Sequence, residues 1–174
     1  MRTVTYYVAS SVDGFIAHED GSFDGFLPAG DHVPDYLKSL AEFDCVLMGR
    51  KTYEVGLKAG KTDPYPDMES YLFSRTVTRS LDERVHLVSE DAVTWVNKLK
   101  QANGGKIYLC GGATLAAALF DNGLIDEIVL KVNPFLMGAG IPLFADVVKQ
   151  TALELLKTTV YLNGVVVVRY QVRA

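Results

Sequence analysis

Two apolar runs in this chain each break at glycine and turn straight into a helix-forming stretch. The first reads Cys45-Val46-Leu47-Met48-Gly49-Arg50-Lys51-Thr52-Tyr53-Glu54, the second Lys106-Ile107-Tyr108-Leu109-Cys110-Gly111-Gly112-Ala113-Thr114-Leu115. A continuous apolar strand followed by a helix is the unit from which parallel sheets are built, because parallel strands need a crossover and are covered on both faces. A helix start also leaves backbone N–H groups without partners and carries partial positive charge. Cations at such an end oppose the dipole unless an anion answers them. Two such ends, with Arg50, Lys51 and Thr52 at one of them, suit an anionic nucleotide.

The remainder of the chain keeps the same alternation. Val4 to Ala9 reads as a strand, Ser10 to Ala17 as a turn returning to apolar residues, and residues 18–32 as a long loop. Pro34 suits the first turn of a helix on which Val33, Leu37, Leu40 and Ala41 keep helical spacing. The first glycine motif supplies a strand from Asp44 to Met48 and a short helix ended near Gly56 or Gly60. Further strands are expected at Ser70–Phe73 and Val85–Val88. A helix capped by Ser89 or Asp91 then carries Trp95, Val96 and Leu99 and stops at Asn103-Gly104-Gly105. After the second motif comes a strand from Ile125 to Val132, apolar on both faces and so placed centrally, and a loop from Asn133 to Phe144. Asn163-Gly164 marks a hairpin between Ala152–Leu162 and Val165–Val172. The expectation is a single three-layer α/β domain over residues 1–174, its sheet mostly parallel with an antiparallel hairpin at the C-terminal edge.

Composition narrows the function classes. A formal charge of −4, with lysines and arginines scattered, lacks the basic stripe of a nucleic-acid-binding surface. No apolar run has the length of a membrane helix, and the first residues enter a strand pattern without a signal-peptide core, so cytoplasm is the expected address. Cys45 and Cys110 lie in apolar strands with no metal spacing and read as small buried hydrophobes. His18, His32 and His86 share no ligand spacing, and no metal is expected.

Three motifs in order carry a family resemblance over nearly the whole chain. Met48-Gly49-Arg50-Lys51-Thr52-Tyr53-Glu54 resembles the helix-opening motif of dihydrofolate reductases. Ser11-Val12-Asp13-Gly14-Phe15-Ile16-Ala17 is closer to the pyrimidine reductases of riboflavin biosynthesis. So are Asp126-Glu127-Ile128-Val129-Leu130, Pro134 and Gly138-Ala139-Gly140-Ile141-Pro142-Leu143-Phe144. The resemblance implies a dihydrofolate-reductase-like fold, NADPH as cofactor and hydride transfer to a small-molecule substrate. By motif, Gly49, Arg50, Lys51 and Thr52 would cradle the adenosine end and pyrophosphate. Ser74 and Arg75 would meet the ribose 2′-phosphate, and Gly111, Gly112, Ala113, Thr114 and Leu115 would let the backbone approach the pyrophosphate. Ala9 and Ile16 would border the nicotinamide. Preference for NADPH over NADH would rest on Arg50 and Arg75, since a dianionic phosphate wants guanidinium partners. The resemblance also implies a homodimer.

Dihydrofolate reductases carry a carboxylate early in the first helix; Asp31 and Asp35 lie nearby here, and Asp35 joins Tyr7 and Tyr53 as a substrate candidate. Phe15 stands where riboflavin-pathway reductases often have a basic residue. The substrate class therefore spans dihydrofolate-like pterins and ribosylaminopyrimidines. Asp13 has two readings: a proton-handling catalytic residue in a mobile turn, or half of a turn pair with Gly14. Tyr53 likewise reads as a packing residue or a substrate platform. An NADP(H)-binding domain without catalysis is the alternative function.

Overall fold

The computed structural model describes residues 1–146 and 149–173. The strands are β1 (Val4–Ser11), β2 (Phe15–Ala17), β3 (Phe43–Gly49), β4 (Glu69–Phe73), β5 (Val85–Val88), β6 (Lys106–Gly111), β7 (Glu127–Asn133), β8 (Ile141–Pro142), β9 (Leu153–Val160) and β10 (Val166–Val172). The helices are α1 (His32–Ser39), α2 (Arg50–Lys58), α3 (Ala92–Gln101) and α4 (Ala113–Asp121). Eight strands form one sheet in the order β5-β4-β3-β6-β1-β7-β10-β9. The strands from β5 to β7 pair in parallel, and β10 and β9 add an antiparallel hairpin. The three-layer α/β architecture expected from the alternation of strands and helices is present.

Helices cover both faces, and the side chains of the parallel strands divide accordingly. On one face, Tyr36 and Leu40 from the α1 region and Tyr53 and Leu57 of α2 pack on Tyr7, Val46, Met48 and Tyr108. On the other, Val96 of α3 and Leu115, Ala116 and Leu119 of α4 pack on Tyr6, Leu47, Ile107 and Leu109. The period of two along β1 sends Tyr6 and Tyr7 into opposite clusters, as expected for adjacent strand residues. Asp91 caps α3, accepting from the Thr94 N–H at 2.9 Å.

Three details depart from the expected pattern. α2 runs through Gly56 to Lys58, and the chain turns away at Gly60, whose φ is +76°. At the C-terminal hairpin the Tyr161 N–H donates to the Val165 carbonyl at 2.9 Å, closing a longer loop than a two-residue Asn-Gly turn. Gly164 takes positive φ but Asn163 does not. The Asn163 amide instead reaches the His32 ring at 3.1 Å, while His32 Nε2 meets the Leu27 carbonyl at 3.2 Å. That buried histidine ties the start of α1 to the hairpin. Finally, the loop from Asn133 to Phe144 contains β8, which pairs with β2 in a separate two-stranded sheet.

Candidate functional site

Because β4, β3, β6 and β1 are parallel, their C-terminal ends share one edge of the sheet, and the two glycine motifs fall side by side on it. Gly49 lies opposite Phe73 across β4, and Met48 opposite Gly111 across β6. A Cβ on Gly49 would stand 3.3 Å from the Gly112 backbone nitrogen. Cβ atoms on Gly111 and Gly112 would stand 3.4 and 3.3 Å from Thr52 Oγ1. Gly111 has φ +137° and its peptide bond to Gly112 is cis. The α2 and α4 N-termini thus open onto one backbone-lined cradle whose floor is Gly49, Gly111 and Gly112 and whose wall is Thr52. Within the second motif Ala113 and Leu115 are buried packing residues, and Thr114 is exposed.

The charged candidates flank this cradle. Arg50 is exposed and pairs with Glu54 one turn along α2, at 3.0 Å. An exposed i,i+4 pair is worth only about 0.3–0.5 kcal/mol, so a phosphate can displace it at little cost. Lys51 is exposed beside it. Ser74 and Arg75 follow β4 on the same edge. The Ser74 hydroxyl accepts from the Val77 N–H at 3.0 Å and the Thr76 N–H at 3.3 Å, which shapes the turn. Arg75 is exposed.

Beyond β1 the edge is closed by the β1–β2 turn. Asp13 accepts from Ser11 Oγ at 2.6 Å, the Met137 N–H at 3.0 Å and the Gly138 N–H at 2.8 Å. These donors, led by the Met137 amide, pull its carboxyl down to about 2. The Val12 N–H donates to the Phe135 carbonyl and the Leu143 N–H to the Gly14 carbonyl, both at 3.0 Å. Asp13 is therefore a clamp that fastens the 134–143 loop over the turn. Ile16 is half-buried in β2, and Ala9 is half-buried near the end of β1.

The α1/α2 face of the sheet supplies the wall next to the cradle. Tyr7 is buried there, its ring edge-on to Tyr36 with centroids 5.3 Å apart. Tyr53 is buried, and its hydroxyl donates to the Thr62 carbonyl at 2.6 Å, which makes it a packing residue. Asp35 points to the hairpin: its carboxylate accepts from Tyr161 Oη at 2.7 Å. That contact braces α1 against the hairpin.

Sequence reasoning missed a set of groups on this wall. Tyr36 Oη lies 3.0 Å from Tyr108 Oη, and Tyr65 Oη lies 3.2 Å from Cys110 Sγ. Burial pushes the Tyr36, Tyr65 and Tyr108 phenols and the Cys110 thiol upward, so all four are neutral hydrogen-bonding groups. Cys110 immediately precedes Gly111, which sets this cluster beside the cradle. Lys131 of β7 reaches the same wall, its Nζ 5.5 Å from the Tyr36 ring centroid. A clue was available in the alternation along β6, which sends Tyr108 and Cys110 to the same face.

The eight-stranded, mostly parallel sheet with its antiparallel edge is a dihydrofolate-reductase-like fold. The structure superposes on dihydrofolate reductase from Enterococcus faecalis complexed with NADP(H) with a TM-score of 0.72, at 16% identity, covering 99% of this chain and 97% of that one. The chain belongs to the RibD C-terminal domain family, which it matches over residues 2–167. A crystal structure from Shewanella sp. PV-4, provisionally assigned to riboflavin biosynthesis, gives a TM-score of 0.86 at 25% identity, with 99% of both chains covered. The uncharacterised protein YwjB of Bacillus subtilis (strain 168) is 36% identical over 158 residues, 88% of this chain and 89% of that protein. Among the described residues no helix is long and apolar enough to cross a membrane.

Proposed function

We propose that this chain is an NADPH-dependent reductase of a small heteroaromatic substrate, pterin-like or ribosylaminopyrimidine-like. The observation that carries this reading is the shared cradle, where Gly49 and Gly112 approach so closely that a single methyl group would crowd them. Backbone N–H groups and two helix N-termini at one point fit a pyrophosphate. The family membership and the NADP(H) complex of the Enterococcus faecalis enzyme support the same coenzyme.

NADPH would supply the hydride at its nicotinamide C4. The chain's own residues hold and shield. Gly49, Thr52, Gly111 and Gly112 would seat the pyrophosphate. Arg50, Lys51, Ser74 and Arg75 would surround the ribose phosphate, and Ala9 and Ile16 would border the nicotinamide. The Asp13 clamp keeps the 134–143 loop against the turn beside the proposed transfer site. With the Asp13 oxygens already engaged by three donors, the proton that completes the reduction comes from water. Substrate plus hydride plus proton then balances the reduced product. A non-catalytic coenzyme sensor is the second reading, favoured by the neutral tyrosine and cysteine wall and the occupied Asp13. Loss of absorbance at 340 nm with dihydrofolate or a ribosylaminopyrimidine decides between them.

Titration calorimetry tests the coenzyme directly. NADPH is expected to bind at least about tenfold more tightly than NADH, a gap of about 1.4 kcal/mol. Arg50→Ala is expected to close most of that gap while leaving the melting temperature within a few degrees, because the side chain's partner in the free protein is one exposed glutamate. Equal affinities for the two coenzymes would refute the phosphate roles of Arg50 and Arg75.

The family resemblance extends to a homodimer, and the β9 edge supports it. Leu155, Leu156 and Val160 are 55%, 47% and 73% exposed there, unusual for an uncovered edge strand. Analytical ultracentrifugation is expected to give twice the chain mass for the wild type and a monomer for Leu155→Glu. A monomeric wild type at micromolar concentration removes the proposal.

A further inference from the structure

Lys131 stands apart from the other cations that the fold takes partly out of water. Arg2 pairs with Asp44, Lys100 with Asp126, Lys106 with Glu42, and Arg169 with Glu127 and Glu42. Lys131 has no carboxylate within ion-pair reach and no hydrogen-bond acceptor for its Nζ among the described residues; what it has is the face of the Tyr36 ring. A desolvated ammonium without a counter-charge is costly, and one cation–π contact recovers only part of that cost. Burial accordingly pushes its pKa down. Nothing in the packing requires a cation here, since its cross-strand neighbours are Ala9 and Val167.

Its position ties it to the proposed reaction. Register places Lys131 directly beside Ala9 on β1, the residue assigned to the nicotinamide border. It shares its sheet face with Tyr7, whose cross-strand partner Val129 lies two residues earlier on β7. A substrate ring lying along this wall would have the Tyr36 and Tyr65 hydroxyls and the Cys110 thiol as neutral partners and Lys131 as the cation without a carboxylate of its own, since Arg169, on the same face opposite Val129, is answered by Glu127 and Glu42. Neutral donors select for amide-like ring edges. An unanswered ammonium selects for negative charge.

We propose that Lys131, with the Tyr36 ring holding its ammonium in place, is the specificity-determining residue of the substrate pocket and pairs with an anionic substituent of a heteroaromatic substrate. The inference rests on the reductase reading, because Ala9 locates the substrate only if the coenzyme lies along the glycine cradle. It deepens that reading by giving the substrate a formal negative charge on the side facing β7.

The test uses matched probes that differ by one carboxylate: orotate against uracil, and pterin-6-carboxylate against pterin, each titrated into the NADPH-saturated protein and into the protein alone. Wild-type protein is expected to bind at least one acid about tenfold more tightly than its neutral partner. Lys131→Met, which keeps the length of the side chain, is expected to abolish the difference, and Lys131→Arg to keep it. NADPH affinity is expected to be unchanged in both variants, so failure of coenzyme binding is read separately and falls on the reductase proposal. A preference for the acids that survives in Lys131→Met overturns the assignment, as does a wild type that shows no preference in either pair or binds none of the four probes. If Lys131→Met fails to fold, Tyr36→Leu, which removes the aromatic face but not the ammonium, is expected to weaken the acid preference about threefold; an undiminished preference counts against the pairing.

Discussion

Gly49→Val is expected to weaken NADPH binding at least about a hundredfold, roughly 2.7 kcal/mol, in a protein that still folds. The reason lies in proximity and not in backbone conformation. Gly49 has φ −75° and ψ 164°, ordinary extended values open to any residue. What forbids a side chain is the neighbouring strand end: a Cβ would sit 3.3 Å from the Gly112 nitrogen and 3.7 Å from the Gly111 carbonyl oxygen, both backbone atoms that cannot swing aside. The two methyls of valine must then either push β3 and β6 apart or project into the cradle that the pyrophosphate would occupy. Gly49→Ala should show a smaller loss of the same kind, about tenfold. Calorimetry with NADPH, together with far-UV circular dichroism, checks both. An unchanged NADPH affinity in Gly49→Val would place the coenzyme elsewhere, whatever the family relationship.

The contrast between Gly49 and Gly111 shows how far local sequence can be read. Both were visible as breaks between an apolar strand and a helix, and that pattern alone fixes a crossover unit, because each strand–helix pair is a local event. The strand ends lie next to each other only because β3 and β6 are neighbours in the sheet, a pairing decided by the whole topology. Two equally good glycine motifs on distant strands would read the same in sequence. The Arg50–Glu54 pair, four residues apart on one helix, lay within reach of the same local logic. Asp13 did not. Two of its partners, the Met137 and Gly138 N–H groups, come from a loop more than a hundred residues away, so its role as a clamp is visible only in the fold.

Asp35 and the tyrosine wall carry the same lesson from opposite directions. Asp35 looked suitable because a carboxylate is expected early in the first helix, yet the C-terminal hairpin folds back to supply Tyr161 as its partner. Cys110 reads in the sequence as a small buried hydrophobe, and nothing in the local sequence singles out Tyr36, Tyr65 or Tyr108, since tyrosines are as often packing residues as site residues. Their hydroxyl and thiol groups converge through separations of 72 and 45 residues. No short-range spacing records such a meeting. Lys131 was hidden for a further reason: a charged residue in a strand is ordinarily read as solvent-facing, and the absence of a counter-charge is a property of the packed structure alone.

Lys100→Met is expected to destabilise the protein by about 2 kcal/mol while leaving NADPH affinity within about twofold. Lys100 is 4% exposed at the last turn of α3, and its ammonium donates to the Asp126 carboxylate at 2.5 Å and the Leu124 carbonyl at 3.1 Å. Asp126 also accepts from the Val4 N–H at 2.8 Å, and the Lys100 carbonyl accepts from the Arg2 N–H at 2.8 Å. One buried lysine thereby joins the start of β1, the end of α3 and the approach to β7. Hydrogen bonds to charged groups contribute about 1.5–3 kcal/mol when a buried partner is lost. The lower half of that range applies, because the Asp126 side chain is 33% exposed and keeps its bond to Val4. For a chain of this length, 2 kcal/mol corresponds to a fall in melting temperature of about 4–8 °C. All of these contacts lie at the N-terminal ends of the parallel strands, opposite the glycine cradle. Loss of stability without loss of coenzyme affinity at Lys100, and loss of coenzyme affinity without loss of the fold at Gly49, would separate the two ends of one sheet into a structural floor and a binding rim. A Lys100→Met protein that melts normally would mean that the ammonium contributes nothing net to the floor, and one that loses NADPH at unchanged melting temperature would mean that the two ends are coupled through β1.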